Sequence, residues 1–360
     1  MSLQADSALP VRYPAGPGPG TPMMSFLSDV LHGRAPVARE IDDDFALELR
    51  GQRLAVLADR HGLQHPTFAA EERRQFVTTT LVVEVSAWCV GQLRDAGIRV
   101  ATYKGPALGV QLFGDPVARP SSDVDLFVAQ GELPRARAAL AAAGLRRDVR
   151  YPAWYERLWH YHELLRGAPG HPTLPVELHW SFARPGLIGG ECSGLLDELV
   201  EVPCGGVALP APALPWQLLS CAVHAVQHYF TLRPLFDCAQ LALQLDDHGW
   251  LEAFDLARRL KLEPALYYAL TVAGRRFDWR PPAAVRVLRP APWRDALVQR
   301  AVARLPLVSF PSREGRQAMK AVIPLASVSG AQWLEGLAFQ LTDRPLIART
   351  LARLMDGRSR

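Results

Sequence analysis

The run Ser122–Val128, SDVDLFV, sets an aspartate at alternate positions ahead of and between aliphatic residues. Alternation of this kind is the period of a β-strand, which puts Asp123, Asp125 and Phe127 on one face and Val124, Leu126 and Val128 on the other. The chain must therefore build a sheet with one apolar face against a core and one acidic face. Two carboxylates on one side repel, and the repulsion raises the pKa of one of them unless a cation lies between. A divalent metal removes the conflict, and magnesium prefers carboxylate oxygens, with water or phosphate completing its shell. The competing reading is a pair of solvated carboxylates on an edge strand.

A second run, Leu174–Trp180 (LPVELHW), repeats the pattern, with Val176, Leu178 and Trp180 on one face and Glu177 and His179 on the other. If the two strands are neighbours, Glu177 joins the aspartates, and three carboxylates can hold two metals about 4 Å apart, as in-line phosphoryl chemistry requires. Upstream, the β-rich IRVATY (Ile98–Tyr103) ends in Lys104-Gly105-Pro106, where proline suits the first turn of a helix. Glycine at such a turn lets a phosphate approach the backbone, and the free N–H groups of the helix start attract it. Lys104 adds a point charge and Arg119 a planar fork for phosphate oxygens, although Arg119 can instead pair with Asp115 in the same loop.

The surrounding pattern is helices, a small mixed core, then helices. Residues 1–24, with YPAGPGPGTP, read as a disordered tail. An N-terminal helical region spans 25–96, including DDDFALELRGQRLAVLADRHG and a longer helix from Ala69 to Ala96, in which Val82, Val85, Cys89, Leu93 and Ala96 recur at helical spacing and which Gly97 ends. The core spans 97–205, with a short helix in ALGVQLFG and another at Leu133–Leu145. The Pro- and Gly-rich EVPCGGVALPAPALP (Glu201–Pro215) reads as a hairpin or linker beside a domain boundary, and residues 216–360 read as a C-terminal helical domain. The fold class expected is α+β.

The combination YKGPALGVQLFG…ARPSSDVDLFV followed by VELHW resembles the uncharacterised nucleotidyltransferases, a branch of the polymerase-β-like nucleotidyltransferase superfamily. The later LLSCAVHAVQHYFTLRPLFDCAQL resembles the helical segment of that family, so the likeness covers roughly residues 70–275. The wider superfamily usually has Gly-Ser or Gly-Gly at the turn, whereas here Gly105 precedes proline, as in the branch itself. The resemblance implies a nucleotidyltransferase core flanked by helices, with transfer of a nucleoside monophosphate from an NTP, by default ATP, to a hydroxyl or phosphate acceptor and release of pyrophosphate. It implies Asp123, Asp125 and Glu177 as metal ligands for two Mg²⁺, with Mn²⁺ as the alternative, and Lys104, Gly105, Arg119 and Ser122 as the triphosphate grip. A peptide or sugar acceptor follows by analogy, and a non-catalytic nucleotide- or protein-binding protein of the same fold is the alternative.

Other signals are weaker. His179 shares a face with Glu177 and either orients a carboxylate, contacts a phosphate or serves the structure. His224 and His228, four apart on one helix face, lack a third ligand at zinc spacing and are assigned to the wall of the nucleotide cleft. Arg233 and Asp237 suggest a local salt bridge. Tyr151, Trp154, Tyr155, Trp159 and Tyr161 stack a base or acceptor, or pack against the helices. Gly-x-Ser-x-Gly, a Walker-type loop and a dinucleotide fingerprint are absent from the sequence. Lysine occurs only at Lys104, Lys261 and Lys320, and the net charge is +4, which argues against a nucleic-acid track; the arginines from Arg344 to Arg360 read as a solvated helix face. Five irregularly spaced cysteines suit a reduced, cytoplasmic protein, and neither a secretory signal nor an apolar run of roughly 18 residues is expected.

Overall fold

The computed structural model describes residues 22–35, 41–149, 160–303, 322–330 and 332–334. Four helices come first: α1 (Pro22–Leu31), α2 (Asp43–Gly51), α3 (Ala55–Arg60) and α4 (Pro66–Asp95). Helix α1 begins inside the segment read as a tail, because Met23 and Met24 are buried apolar side chains; the rest of that tail lies outside the described residues. The acidic-to-basic stretch after it forms two helices instead of one. Asp42 caps α2 by accepting the Phe45 N–H at 2.8 Å, and the chain turns between α2 and α3 at Arg53, whose φ is +57°.

A five-stranded mixed sheet has the order β1-β2-β5-β4-β3, where β1 is Val100–Thr102, β2 Val124–Val128, β3 Arg146–Arg147, β4 His162–Arg166 and β5 Val176–His179. The pair β2–β5 is parallel, with Asp125 opposite Glu177 and Leu126 opposite Leu178; the other pairings are antiparallel. Helix α5 (Gly105–Phe113) follows β1, and α6 (Leu133–Ala142) follows β2. Val124, Leu126, Val128, Val176 and Leu178 pack against Val82, Val85, Cys89 and Leu93 of α4 and Leu140 of α6, forming one apolar layer. Each such aliphatic side chain contributes about 1.5–3 kcal/mol on burial, which explains why the alternation fixes the sheet's orientation.

By length and composition α4 would also pass for a membrane span, contrary to the expectation of no such apolar run, and 44% of that window is buried. The reason is packing: one stripe of α4 lies under the sheet.

The opposite sheet face carries the carboxylates, but Phe127, Tyr103 and Ala101 on that side sink into a second core shared with α1, α2 and the C-terminal helices. Those helices include α7 (Leu214–Gln227), α8 (Leu232–Gln244), α9 (Asp247–Leu260), α10 (Glu263–Arg276) and α11 (Pro292–Val302). The segment read as hairpin or linker is a hairpin of β6 (Leu199–Cys204) and β7 (Val207–Pro212), turning at Gly205 and Gly206, both at positive φ. It packs on β1, where the Thr102 hydroxyl donates to the Pro210 carbonyl at 2.8 Å. All five cysteines are buried and unpaired.

Candidate active site

Register creates the site. Because Asp125 and Glu177 are direct partners on parallel strands, their side chains leave the sheet side by side, and His179 follows two residues on, on the same face. His179 Nε2 lies 2.9 Å from Asp125 Oδ1 and 3.3 Å from Glu177 Oε2. Both partners accept only, so this nitrogen carries the proton. Single ligand atoms of Asp125, Glu177 and His179 lie within 4.8 Å of one another, and among the described residues no other group of three carboxylate, histidine or cysteine side chains meets that test.

Asp123 lies outside that trio, where the sequence reading had grouped it with Asp125 and Glu177 as equals. The strand starts only at Val124, so Asp123 sits in the approach loop, where the Ser121 hydroxyl donates to its carbonyl at 3.0 Å and lies 3.4 Å from Oδ1. It still feels the same field: burial first, then the charges of Asp125 and Glu177, push its carboxyl up to about 6 from 3.8. Burial also opposes ionisation of Asp125, but Lys104, the His179 hydrogen bond and Arg119 outweigh it and hold that carboxyl below its usual value. Glu177 is held down likewise by His179 against its own burial. For His179 burial favours the neutral ring, yet the two carboxylates prevail and raise its pKa.

Lys104 ends the β1 turn at φ +66° and Gly105 follows at φ +53°, two successive residues in the left-handed half of conformational space. That bend starts α5 beside Ser121, whose Oγ would lie 3.9 Å from a Cβ at Gly105. Strain in a lysine backbone is retained where a site over-determines it. The Lys104 ammonium lies 4.6 Å from the Tyr103 ring centroid; Tyr103 in turn stacks on Phe182 (5.6 Å, 4°) and meets the His179 ring edge-on at 5.1 Å. Tyr103 thus braces both the lysine and the histidine.

Arg119 does not pair with Asp115, which is bound by Arg60 at 3.2 Å. Its Nε instead donates to Asp237 Oδ2 at 3.0 Å, while Arg233 Nε donates to Asp237 Oδ1 at 3.1 Å. The expected Arg233–Asp237 bridge is present and belongs to an Arg–Asp–Arg group whose carboxylate is buried. One carboxylate between two guanidinium groups leaves one surplus positive charge, and Arg119 directs its field at Asp125. His224 and His228, 4.0 Å apart between ring centroids, complete this end. Burial, with Lys104 next in weight, keeps both neutral, His228 down at about 4.

Ser122 is exposed, whereas its neighbour Ser121 is buried and holds Asp123; only the loop's path distinguishes the two serines. Sequence reasoning also missed His162, whose ring lies 4.9 Å from that of His179 because the two residues are partners across β4 and β5. Tyr161 lies 5.9 Å from the same ring, while Tyr151, Trp154, Tyr155 and Trp159 lie outside the described residues, as do the arginines from Arg344 onward.

Two carboxylates and a histidine thus meet on the parallel pair β2 and β5, beside the Asp123 loop and near the Lys104–Gly105 strand-to-helix turn. Residues 58–278 match the family described as uncharacterised nucleotidyltransferase, and the chain belongs to that family. Curated protein sequences give no significant match. Among solved structures the chain is similar to the antibiotic-resistance factor ANT(2'')-Ia in solution (12% identity, 51% of this chain and 94% of that one, TM-score 0.35) and to its crystal complex with adenylyl-2''-tobramycin (12%, 51% and 98%, TM-score 0.31). It is also similar to an antigenic nucleotidyltransferase-like protein from Paracoccidioides brasiliensis (16% identity, 57% and 95%, TM-score 0.31).

Proposed function

We propose that this protein transfers a nucleoside monophosphate from an NTP, ATP by default, to a hydroxyl-bearing acceptor in the cytoplasm, with neither membrane nor nucleic acid as partner. In this reading residues 97–205 form the catalytic core and the helices from 216 onward close the nucleotide cleft. The observation that carries it is the in-register pairing of Asp125 with Glu177, next to an Asp123 whose carboxyl is pushed up to about 6 by burial and its acidic neighbours. Three carboxyl groups close enough to raise the pKa of one of them fit a divalent cation, and their oxygens suit Mg²⁺ or Mn²⁺. Asp123, Asp125 and Glu177 would hold it. Once bound, it would neutralise charge on the triphosphate and lower the pKa of the attacking hydroxyl.

The chain's own groups supply the rest. Lys104, the Gly105 turn, Arg119 and Arg233 present positive charge and a backbone open to phosphate oxygens at the start of β2. The acceptor oxygen attacks the α-phosphorus, a new P–O bond forms, the bond to the bridging oxygen breaks, and pyrophosphate departs with that electron pair. The hydroxyl proton passes to a carboxylate of the site or to water. His179 fixes the orientation of Asp125 and Glu177, and Tyr103 fixes His179.

The test is pyrophosphate release and label transfer from α-labelled ATP with Mg²⁺. The wild-type chain is expected to give both and Asp125→Ala neither; equal rates in the two would sink the proposal. The second reading, a non-catalytic nucleotide-binding protein, is favoured by one observation: the His179 imidazole already bridges Asp125 and Glu177 as a cation would. Nucleotide binding that is indifferent to Mg²⁺ and yields no pyrophosphate would select it.

A further inference from the structure

Charge is segregated along β2. At its N-terminal end stand Lys104, Arg119 and the Ser121–Asp123 loop, since β1 runs antiparallel and pairs Thr102 with Leu126. At its C-terminal end, beyond Phe127, a cavity of about 540 Å³ opens between the ends of β2 and β5, large enough for a small organic ligand. Gln130, His160, Tyr161, Trp180, Glu191 and Ser193 contribute to its wall, and among the described residues its lining contains neither lysine nor arginine. Arg184, between the lining residues Ala183 and Pro185, acts on Tyr161 electrostatically without lining the cavity. The wall is continuous with the acidic trio: the Tyr161 carbonyl accepts the Trp180 N–H at 3.1 Å, and the Tyr161 ring lies 5.9 Å from the His179 ring.

We infer that this cavity is the acceptor subsite, and that it takes a neutral or cationic polyhydroxylated molecule of amino-sugar size and rejects phosphorylated ones. The inference rests on the transferase reading of the neighbouring carboxylates. A polyanion in the cavity would meet Glu191 and the field of Asp125 and Glu177, with neither lysine nor arginine among the described lining residues to offset them. A hydroxylated ring instead finds the hydroxyls of Ser181 and Ser193 and the amide of Gln130, with the aromatic surfaces of Trp180 and Tyr161 for its apolar faces. An ammonium group gains from both Glu191 and an indole face. Placed there, an acceptor hydroxyl faces the carboxylates from the side opposite Lys104, which leaves the cationic end to the triphosphate.

The experiment uses the full chain with Mg²⁺ and two readouts. Saturation-transfer NMR measures binding of glucosamine, glucose and glucose 6-phosphate at millimolar concentration, and α-labelled ATP measures transfer. Two variants accompany the wild type, each checked for folding by circular dichroism. Gly131→Trp sets an indole at the cavity wall, since Gly131 lines it, a Cβ there meets nothing within 4 Å and its φ is not in the left-handed region; Glu191→Gln removes an exposed charge. Glucosamine is expected to bind at least about tenfold more tightly than glucose 6-phosphate, to lose about tenfold in Gly131→Trp, and to fall to the level of glucose in Glu191→Gln. No glucosamine signal with the wild type, equal or tighter binding of glucose 6-phosphate, or binding indifferent to Gly131→Trp overturns the inference. Cavity binding as expected but with no pyrophosphate release would leave the subsite standing and contradict the transferase reading. Label transfer indifferent to Gly131→Trp would do the reverse.

Discussion

Replacing Asp123 by asparagine separates the electrostatic argument from the fold. In the metal-free protein the Asp123 carboxyl titrates near 6 instead of 3.8, because it is partly buried beside Asp125 and Glu177. A carboxyl whose folded pKa exceeds its unfolded one keeps its proton longer in the folded state, so stability falls as pH rises through the window from 3.8 to about 6 and is level above it. At about 1.4 kcal/mol per unit, the full penalty is about 3 kcal/mol at most, reduced by the solvent that reaches the group. The substituted asparagine would carry no charge, and its side-chain oxygen could still accept from Ser121. Urea unfolding with EDTA at pH 7.5 should therefore show Asp123→Asn more stable than wild type by about 1–3 kcal/mol, and the gap should narrow by about 1.4 kcal/mol at pH 5, where one unit of the window remains untitrated. Saturating Mg²⁺ should shrink the gap by up to about 2.7 kcal/mol at a hundredfold excess over Kd, since the wild type gains the larger linkage term. A variant no more stable than wild type at pH 7.5 without metal, or a gap equal at both pH values, would refute the reasoning.

Other expectations follow from the same structure. Asp125→Ala should lower turnover more than about 100-fold, since removing a ligand exceeds the usual cost of disturbing the groups behind one; rates of pyrophosphate release check this. Asp237→Ala removes the buried carboxylate shared by two partly buried guanidinium groups and should destabilise the chain by about 3 kcal/mol in urea, whereas an exposed pair such as Arg94–Glu201 should give less than about 1 kcal/mol. Gly105→Ala should cost about 1–2 kcal/mol through its positive φ alone, because the nearest atom to the new Cβ is 3.9 Å away; an unchanged midpoint would show that the turn relaxes. Tyr103→Ala should lower kcat as well as stability, by freeing His179 and Lys104 together, with pyrophosphate release and urea unfolding as the two measurements.

The alternation of SDVDLFV and LPVELHW is strong enough by itself to set both strands, the apolar face of each and the common side of Glu177 and His179, because a strand's period is local. Glycine and proline at 105 and 106 likewise mark the strand-to-helix turn from sequence alone. What lies across the chain is different. That Asp237 holds Arg119 over 118 positions, that His162 meets His179, and that Ser121 and not Ser122 supports Asp123 depend on how loops and helices dock. The sequence also made Asp123 equal to Asp125, since an i, i+2 pattern cannot tell where a strand's ladder begins; the structure starts it at Val124 and leaves Asp123 in the loop. Local periodicity encodes which face a residue takes, whereas the partner it finds there is settled only when non-local surfaces bury one another, and the acidic site with its segregated charges is a product of that second step.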